Sequence, residues 1–154
     1  MAERPRRVVL GSDHAGYEMK QRLMAAVADM GIWMEDLGTR ETSSVDYPEY
    51  AAAVAQRISE ETADVGVLVC GTGIGMDITA NKFPGVRAAL LYDDVAAKYA
   101  RMHNDANIAV FGARTMGIED AVRRLRIFFE EPYEGGRHQA RLDKIREIEK
   151  KNGK

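Results

Sequence analysis

Short apolar runs alternate with longer amphipathic stretches along most of the chain, and this alternation predicts its elements. "RRVVLG" reads as a short buried strand. "YEMKQRLMAAVADMG" then places Met19, Leu23, Met24, Val27 and Met30 at the helical period, with Gly31 positioned to end the helix. "IWMEDLG" reads as a second strand, "TRETSSVDYPEY" as a polar connection and "AAAVAQRISEETA" as a second helix. "DVGVLVCG", nearly continuous in apolar residues, is the third strand, followed by a short helix in "MDITANKF". "VRAALLY", "DDVAAKYARMHND", "ANIAVFG" and "GIEDAVRRLRIFFEE" continue as strand, helix, strand, helix. The acidic start of "DDVAAKYARMHND" suits a helix N-terminus.

Such an alternation predicts an α/β fold: a three-layer sandwich with a five-stranded parallel sheet and helices on both faces. Sheets of this kind bind ligands at the carboxyl ends of their strands. The loops to weigh are therefore "GSDHAG", "GTRETSSVDYPEY", "CGTGIG", "YDD" and "GARTMG". After Pro132 and the pair Gly135–Gly136, residues 133–154 read as a turn and a C-terminal helical tail. Leu142, Ile145 and Ile148 form its apolar stripe, and Arg137 and Arg141 share a face four residues apart.

Composition narrows this only in part. The 154 residues suit one domain over 1–154, and no repeat or composition break suggests a second. The net charge of −2 gives no general attraction to nucleic acid. Residues 137–154 nevertheless carry seven Lys or Arg against three Asp or Glu, a basic tail that can bind an anion or simply be a solvated helix face. No apolar run approaches the roughly 18 residues a membrane span needs, and "VVL" after the basic N-terminus is too short for a signal-peptide core. With a single cysteine there is no internal disulfide, and the expected location is the cytoplasm.

That cysteine, Cys70, ends the third predicted strand and opens a loop with three glycines in five residues, Gly71, Gly73 and Gly75. The loop lacks the last glycine of a dinucleotide-binding fingerprint, because position 76 is Met. Met76 also excludes the arginine that a cysteine phosphatase needs there. "GSDHAGYE" has no Lys-Ser or Lys-Thr and so is not a P-loop. A glycine loop that opens a helix still offers bare N–H groups to a phosphate or to the oxyanion of an intermediate. Thr72 adds a hydroxyl. The alternative for Cys70 is a buried, inert thiol.

The three histidines each have polar neighbours: His14 follows Asp13, His103 precedes Asn104, and His138 follows Arg137. None has metal-ligand spacing, so neither a metal nor another cofactor is expected.

Together, "SDHAGYEMK", "DYPEYA", "CGTGIGM", "ANKFPGVRAA", "HNDAN" and "YEGGRHQAR" resemble, in order and spacing, the type B ribose-5-phosphate isomerases, a family that also holds allose- and galactose-6-phosphate isomerases. The resemblance runs from about Val8 to about Ile148. It implies a Rossmann-like fold and an aldose–ketose isomerisation of a sugar phosphate through a cis-enediolate, without a cofactor. Cys70 matches the family's base. Thr72 and the amides of Gly71, Gly73 and Gly75 would hold the enediolate oxygens. His103 would open the sugar ring, with Asp13 and Asn104 on the sugar. His14, Arg114, Arg137, His138 and Arg141 would bind the substrate, chiefly its phosphate. It further implies a homodimer, or a tetramer, in which the tail's arginines serve the neighbour's site, with no nucleic-acid or membrane partner. A second branch of the family carries glutamate where this chain has Met76, so Cys70 puts the chain with the cysteine branch. Ribose 5-phosphate is the expected substrate; a six-carbon sugar phosphate, or a non-catalytic sugar-phosphate-binding module, is the alternative.

Overall fold

The structure, a computed structural model, describes Pro5 and residues 7–153. Arg6, the start of the expected first strand, lies outside the described residues, as do residues 1–4 and 154. Eleven elements follow in the order β1 (Val8–Ser12), α1 (Tyr17–Ala28), β2 (Met34–Asp36), α2 (Tyr47–Ser59), β3 (Val65–Cys70), α3 (Ile74–Ala80), β4 (Ala88–Leu90), α4 (Asp94–Met102), β5 (Ile108–Gly112), α5 (Ile118–Glu130) and α6 (Arg137–Lys151). The five strands form one all-parallel sheet in the order β2-β1-β3-β5-β4.

The core has two halves because side chains of a strand alternate between faces. On β3, Val65, Val67 and Val69 pack with Leu23 and Val27 of α1 and Leu125 and Phe128 of α5. Leu68 and Cys70 point the other way, toward Val54 and Ala55 of α2 and Met76 and Ala80 of α3. Both faces are covered, which is why β3 reads as a continuous apolar run. From β1 the chain turns toward β2, and from β3 it turns the opposite way. The carboxyl ends of β1 and β3 therefore flank a crevice where the strand order reverses, the preferred ligand position in such sheets.

Three elements differ from expectation. The polar connection ends earlier than its composition suggests, and α2 begins at Tyr47, because Pro48 in the first turn is preset for a helix and has no N–H to waste there. The short helix α3 starts at Ile74, two residues before the predicted "MDITANKF". β4 is only Ala88–Leu90, a short edge strand. The Asn81 side chain continues its ladder, accepting from Ala88 N at 2.9 Å and donating to Ala88 O at 3.0 Å. α4 is capped as its acidic start implies: Asp93 Oδ1 accepts from Ala96 N at 2.6 Å.

The tail forms the expected helix, α6, after two glycines with positive φ. Of its apolar stripe only Leu142 is buried; Ile145 and Ile148 remain 48% and 60% exposed. They line an open groove of about 670 Å³ with Val86 and Ala88 beside the β4 edge. Among the described residues no helix is long and apolar enough to cross a membrane.

Lys20 is the unexpected core residue, with no exposed side-chain surface. Its ammonium donates to Asp36 Oδ1 at 2.8 Å, to Oδ2 at 3.0 Å and to the Thr39 carbonyl. Thr39 N in turn donates to Ser12 O at 2.8 Å, so Lys20 fastens the β2–α2 loop to the carboxyl end of β1. Lys20→Met leaves Asp36 without its cation. Removing one partner of a buried pair costs about 3–5 kcal/mol, and since Asp36 keeps 21% exposure the expected loss is about 3 kcal/mol. Urea denaturation at fixed protein concentration checks this; an unchanged midpoint would refute it.

Candidate functional site

Eight of the expected residues gather at the carboxyl edge of the sheet. Asp13 follows β1, is nearly buried, and accepts from Gly16 N at 3.0 Å through Oδ1. That bond requires Gly16 close to β3: a Cβ there would lie 2.5 Å from Val69 O. His14 Nδ1 accepts from Val45 N at 3.1 Å, which assigns the proton of the neutral ring to Nε2 and leaves that nitrogen as a donor.

Cys70 ends β3 with 4% of its surface exposed, and Gly73 N donates to Sγ at 3.2 Å. The amide's positive end thus points at the sulfur. Gly73 has φ +81°, and a Cβ on it would meet Leu90 Cδ1 at 2.5 Å, so only glycine turns the chain here. The loop is pinned to the one after β5: Ala113 N donates to Cys70 O at 2.9 Å and Arg114 N to Gly71 O at 2.8 Å. The Arg114 side chain lies over Gly71, where a Cβ would come within 3.1 Å of Nη1. Thr72 is exposed, and its Oγ1 accepts from Ile74 N at 3.3 Å. Gly75 gives room to the ring of Tyr47. Tyr47 was not among the expected residues. Its string, "DYPEYA", marked it only as a match, and no local pattern shows that α2 begins early enough to bring the ring here.

The other five expected residues, His103, Asn104, Arg137, His138 and Arg141, are elsewhere. Within a single chain His103 does not join the strand-end residues Asp13, His14 and Thr72. α4 connects two parallel strands, so it runs against them and ends, at His103, on the amino edge of the sheet. Ile108 stands opposite Gly66 and Gly112 opposite Cys70, so the length of β5, about 13 Å at 3.3 Å per residue, separates this edge from the sulfur.

At the amino edge the His103 ring is stacked between Tyr99, with centroids 4.3 Å apart, and His138, at 4.1 Å. Glu134 Oε2 lies 3.4 Å from His138 Nε2 and 4.0 Å from His103 Nε2. His138 Nε2 is buried and makes no hydrogen bond. Arg137 and Arg141 are exposed and have no ion-pair partner among the described residues. Asn104 is exposed beside Leu142 in the groove under α6.

The donor atoms of His103, Glu134 and His138 lie within 4.8 Å of one another, a grouping that spacing along the chain could not show. It does not favour a metal. The two imidazoles are stacked 15° from parallel, so their in-plane lone pairs run side by side and do not converge on one point. Burial, with His103 next and then Arg137, holds the His138 imidazole below its ordinary value of 6.5.

Comparison with known proteins gives four matches. A family model described as Ribose/Galactose Isomerase matches residues 8–145. The chain is 38% identical over 146 residues to ribose-5-phosphate isomerase B of Escherichia coli (strain K12), covering 95% of this chain and 98% of that one. Among solved structures, a ribose-5-phosphate isomerase B from Clostridium thermocellum superposes with a TM-score of 0.93 at 40% identity, covering 95% and 99% of the two chains. One from Mycoplasma genitalium, with bound ribulose 5-phosphate, gives 0.90 at 34% identity, covering 94% and 96%.

The lowered His138 value has a consequence for stability. An unfolded chain takes up this proton near pH 6.5 while the folded chain resists it, so stability is full above 6.5 and falls as the pH drops through the folded value. Thermal midpoints at fixed concentration should decline more steeply from pH 7.5 to 5.5 in wild type than in His138→Asn. Equal slopes would contradict the assignment.

Proposed function

The chain belongs to the ribose/galactose isomerase family, and on that premise we propose that it interconverts ribose 5-phosphate and ribulose 5-phosphate with Cys70 as the base. The observation that carries the reading is the chain's only cysteine, held at the crevice with the Gly73 amide on its sulfur, in a chain that matches the family model over residues 8–145. Ribose is preferred over a six-carbon sugar because relatives matching nearly end to end are named for ribose 5-phosphate, and one holds ribulose 5-phosphate.

In this reading the thiolate takes the C2 proton of the open-chain aldose and returns it to C1, while a proton moves from O2 to O1. The cis-enediolate between these steps carries its charge on oxygen. The amides of Gly71 and Gly75 and the Thr72 hydroxyl are donors already fixed in place, so little reorganisation accompanies that charge; the Gly73 and Ile74 amides are already given to Cys70 Sγ and Thr72 Oγ1. Asp13 Oδ2, free of the bond to Gly16, accepts from a sugar hydroxyl. His14 and Arg114 complete the carboxyl-edge half of the site.

The remaining half comes from a second copy. His103, Asn104, Arg137, His138 and Arg141 sit on the far edge of their own sheet, out of reach of their own Cys70. A two-fold dimer that sets the amino edge of one chain against the carboxyl edge of the other completes two sites at once. Exposed Ile74 and Ile78 on α3, with Tyr92, Val95 and Tyr99 at α4, supply apolar surface for that contact. His103 then gives its proton to the furanose oxygen O4 as the C1–O4 bond breaks and the O1 hydroxyl loses its own. Arg137 and Arg141, without an ion-pair partner among the described residues, grip the phosphate.

Two outcomes test this. Cys70→Ser should keep substrate affinity and lose turnover by about 10²–10⁴, since a serine hydroxyl is far too weak an acid to serve as this base; near-wild-type turnover would sink the assignment. Cys70→Ser and Arg141→Ala, each nearly inactive alone, should recover roughly a quarter of wild-type activity when mixed equally and allowed to exchange subunits, because half the dimers are mixed and each carries one intact site. Verified exchange without recovery would place the whole site in one chain.

A further inference from the structure

We propose that Glu134 is a positioning residue for ring opening: its carboxylate accepts a hydrogen bond from Nε2–H of the His103 imidazolium, which fixes the edge that faces the sugar and leaves Nδ1–H as the proton given to O4. This rests on the reading of His103 as the ring-opening acid.

The stacking of His103 between Tyr99 and His138 fixes the plane of its ring. Stacking admits two orientations related by a half-turn about the Cβ–Cγ bond, which exchange the nitrogen and carbon edges of the ring, so a partner at the ring's edge is needed to choose between them. Glu134 Oε2 is 4.0 Å from Nε2. A shift of about 1 Å brings it to hydrogen-bond distance, and catalytic hydrogen bonds commonly tighten by such amounts when substrate binds. The carboxylate is not placed by chance, because Glu134 N donates at 3.0 Å to the carbonyl of Met102, the residue before His103. Backbone and side chain of Glu134 thus address the same turn at the end of α4. The same oxygen lies 3.4 Å from His138 Nε2, a buried nitrogen with no other partner, so the carboxylate stands between the two edges. Pro132, just upstream, and the positive-φ pair Gly135–Gly136, just downstream, set the chain's path here, which ties this carboxylate to the start of α6 and its arginines.

The chemistry offers a readout that a structural role would not move. Ribulose 5-phosphate cannot close a furanose, because its C5 oxygen carries the phosphate. Enediolate formation from the ketose therefore needs Cys70 but no ring opening. In deuterium oxide the wild type should wash deuterium into C1 of the ketose. Glu134→Ala should lower turnover of ribose 5-phosphate at least tenfold while this exchange stays within about twofold of wild type. Glu134→Gln, whose amide oxygen still accepts from Nε2–H, should restore a large part of the loss. His103→Ala run alongside should show the same split more severely. Unchanged turnover in Glu134→Ala, parallel loss of turnover and exchange, or no rescue by Glu134→Gln would each overturn the proposal. Full ribose 5-phosphate turnover in His103→Ala would instead overturn the reading of His103 on which it rests.

Discussion

In an all-parallel sheet every connecting helix must carry the chain back against the strands. Residues that end strands and residues that end helices therefore lie on opposite edges. In this protein that rule divides the proposed site residues in two. Asp13, His14, Cys70 and Arg114 follow strands and share one edge; His103 and Asn104 follow a helix and lie on the other. The tail reaches the same far edge by another route, since Glu134 is fastened to the end of α4 and His138 stacks on His103. The proposed base lies on one half with His14 and Arg114, and the proposed ring-opening histidine and the tail's arginines lie on the other. A second copy is the simplest source of what each half lacks.

The arginines of the proposed site are kept differently from others on the surface. Arg123 is held by Asp94 and Asp120 at 2.8–3.0 Å, which raises its guanidinium well above the ordinary range, and Arg57 is raised in the same way by Glu35. These surface pairs contribute little to stability but keep their cations occupied. Arg137 and Arg141 have no such partner among the described residues, and Arg114 lies directly on the glycine loop. These three arginines are cations that the proposed site needs for a phosphate.

Much of the fold was legible in the sequence, because buried strands and amphipathic helices carry different periods. The limits fell where tertiary contact overrides local pattern. Lys20 reads as one polar residue of a helix and becomes fully buried, since only the folded β2–α2 loop brings Asp36 to it. Pro48 was read as part of a loop, although it opens α2 and carries Tyr47 to Gly75. The carboxyl-edge half of the site was legible as strand-end chemistry. The amino-edge half was named residue by residue through resemblance, but its separation from Cys70 depends on the direction of α4. Glu134 had no local signal: its partners lie 31 residues before it, across α5, and four residues after it on α6.

The central claim is that one working site is built from opposite edges of two chains. A crystal structure with ribulose 5-phosphate bound tests it most directly. The account predicts C1 and C2 within about 3.5 Å of Sγ of Cys70 in one chain, with the phosphate against Arg137 and Arg141 of the other. A sugar phosphate whose reacting carbons and phosphate are held by the same chain would contradict it.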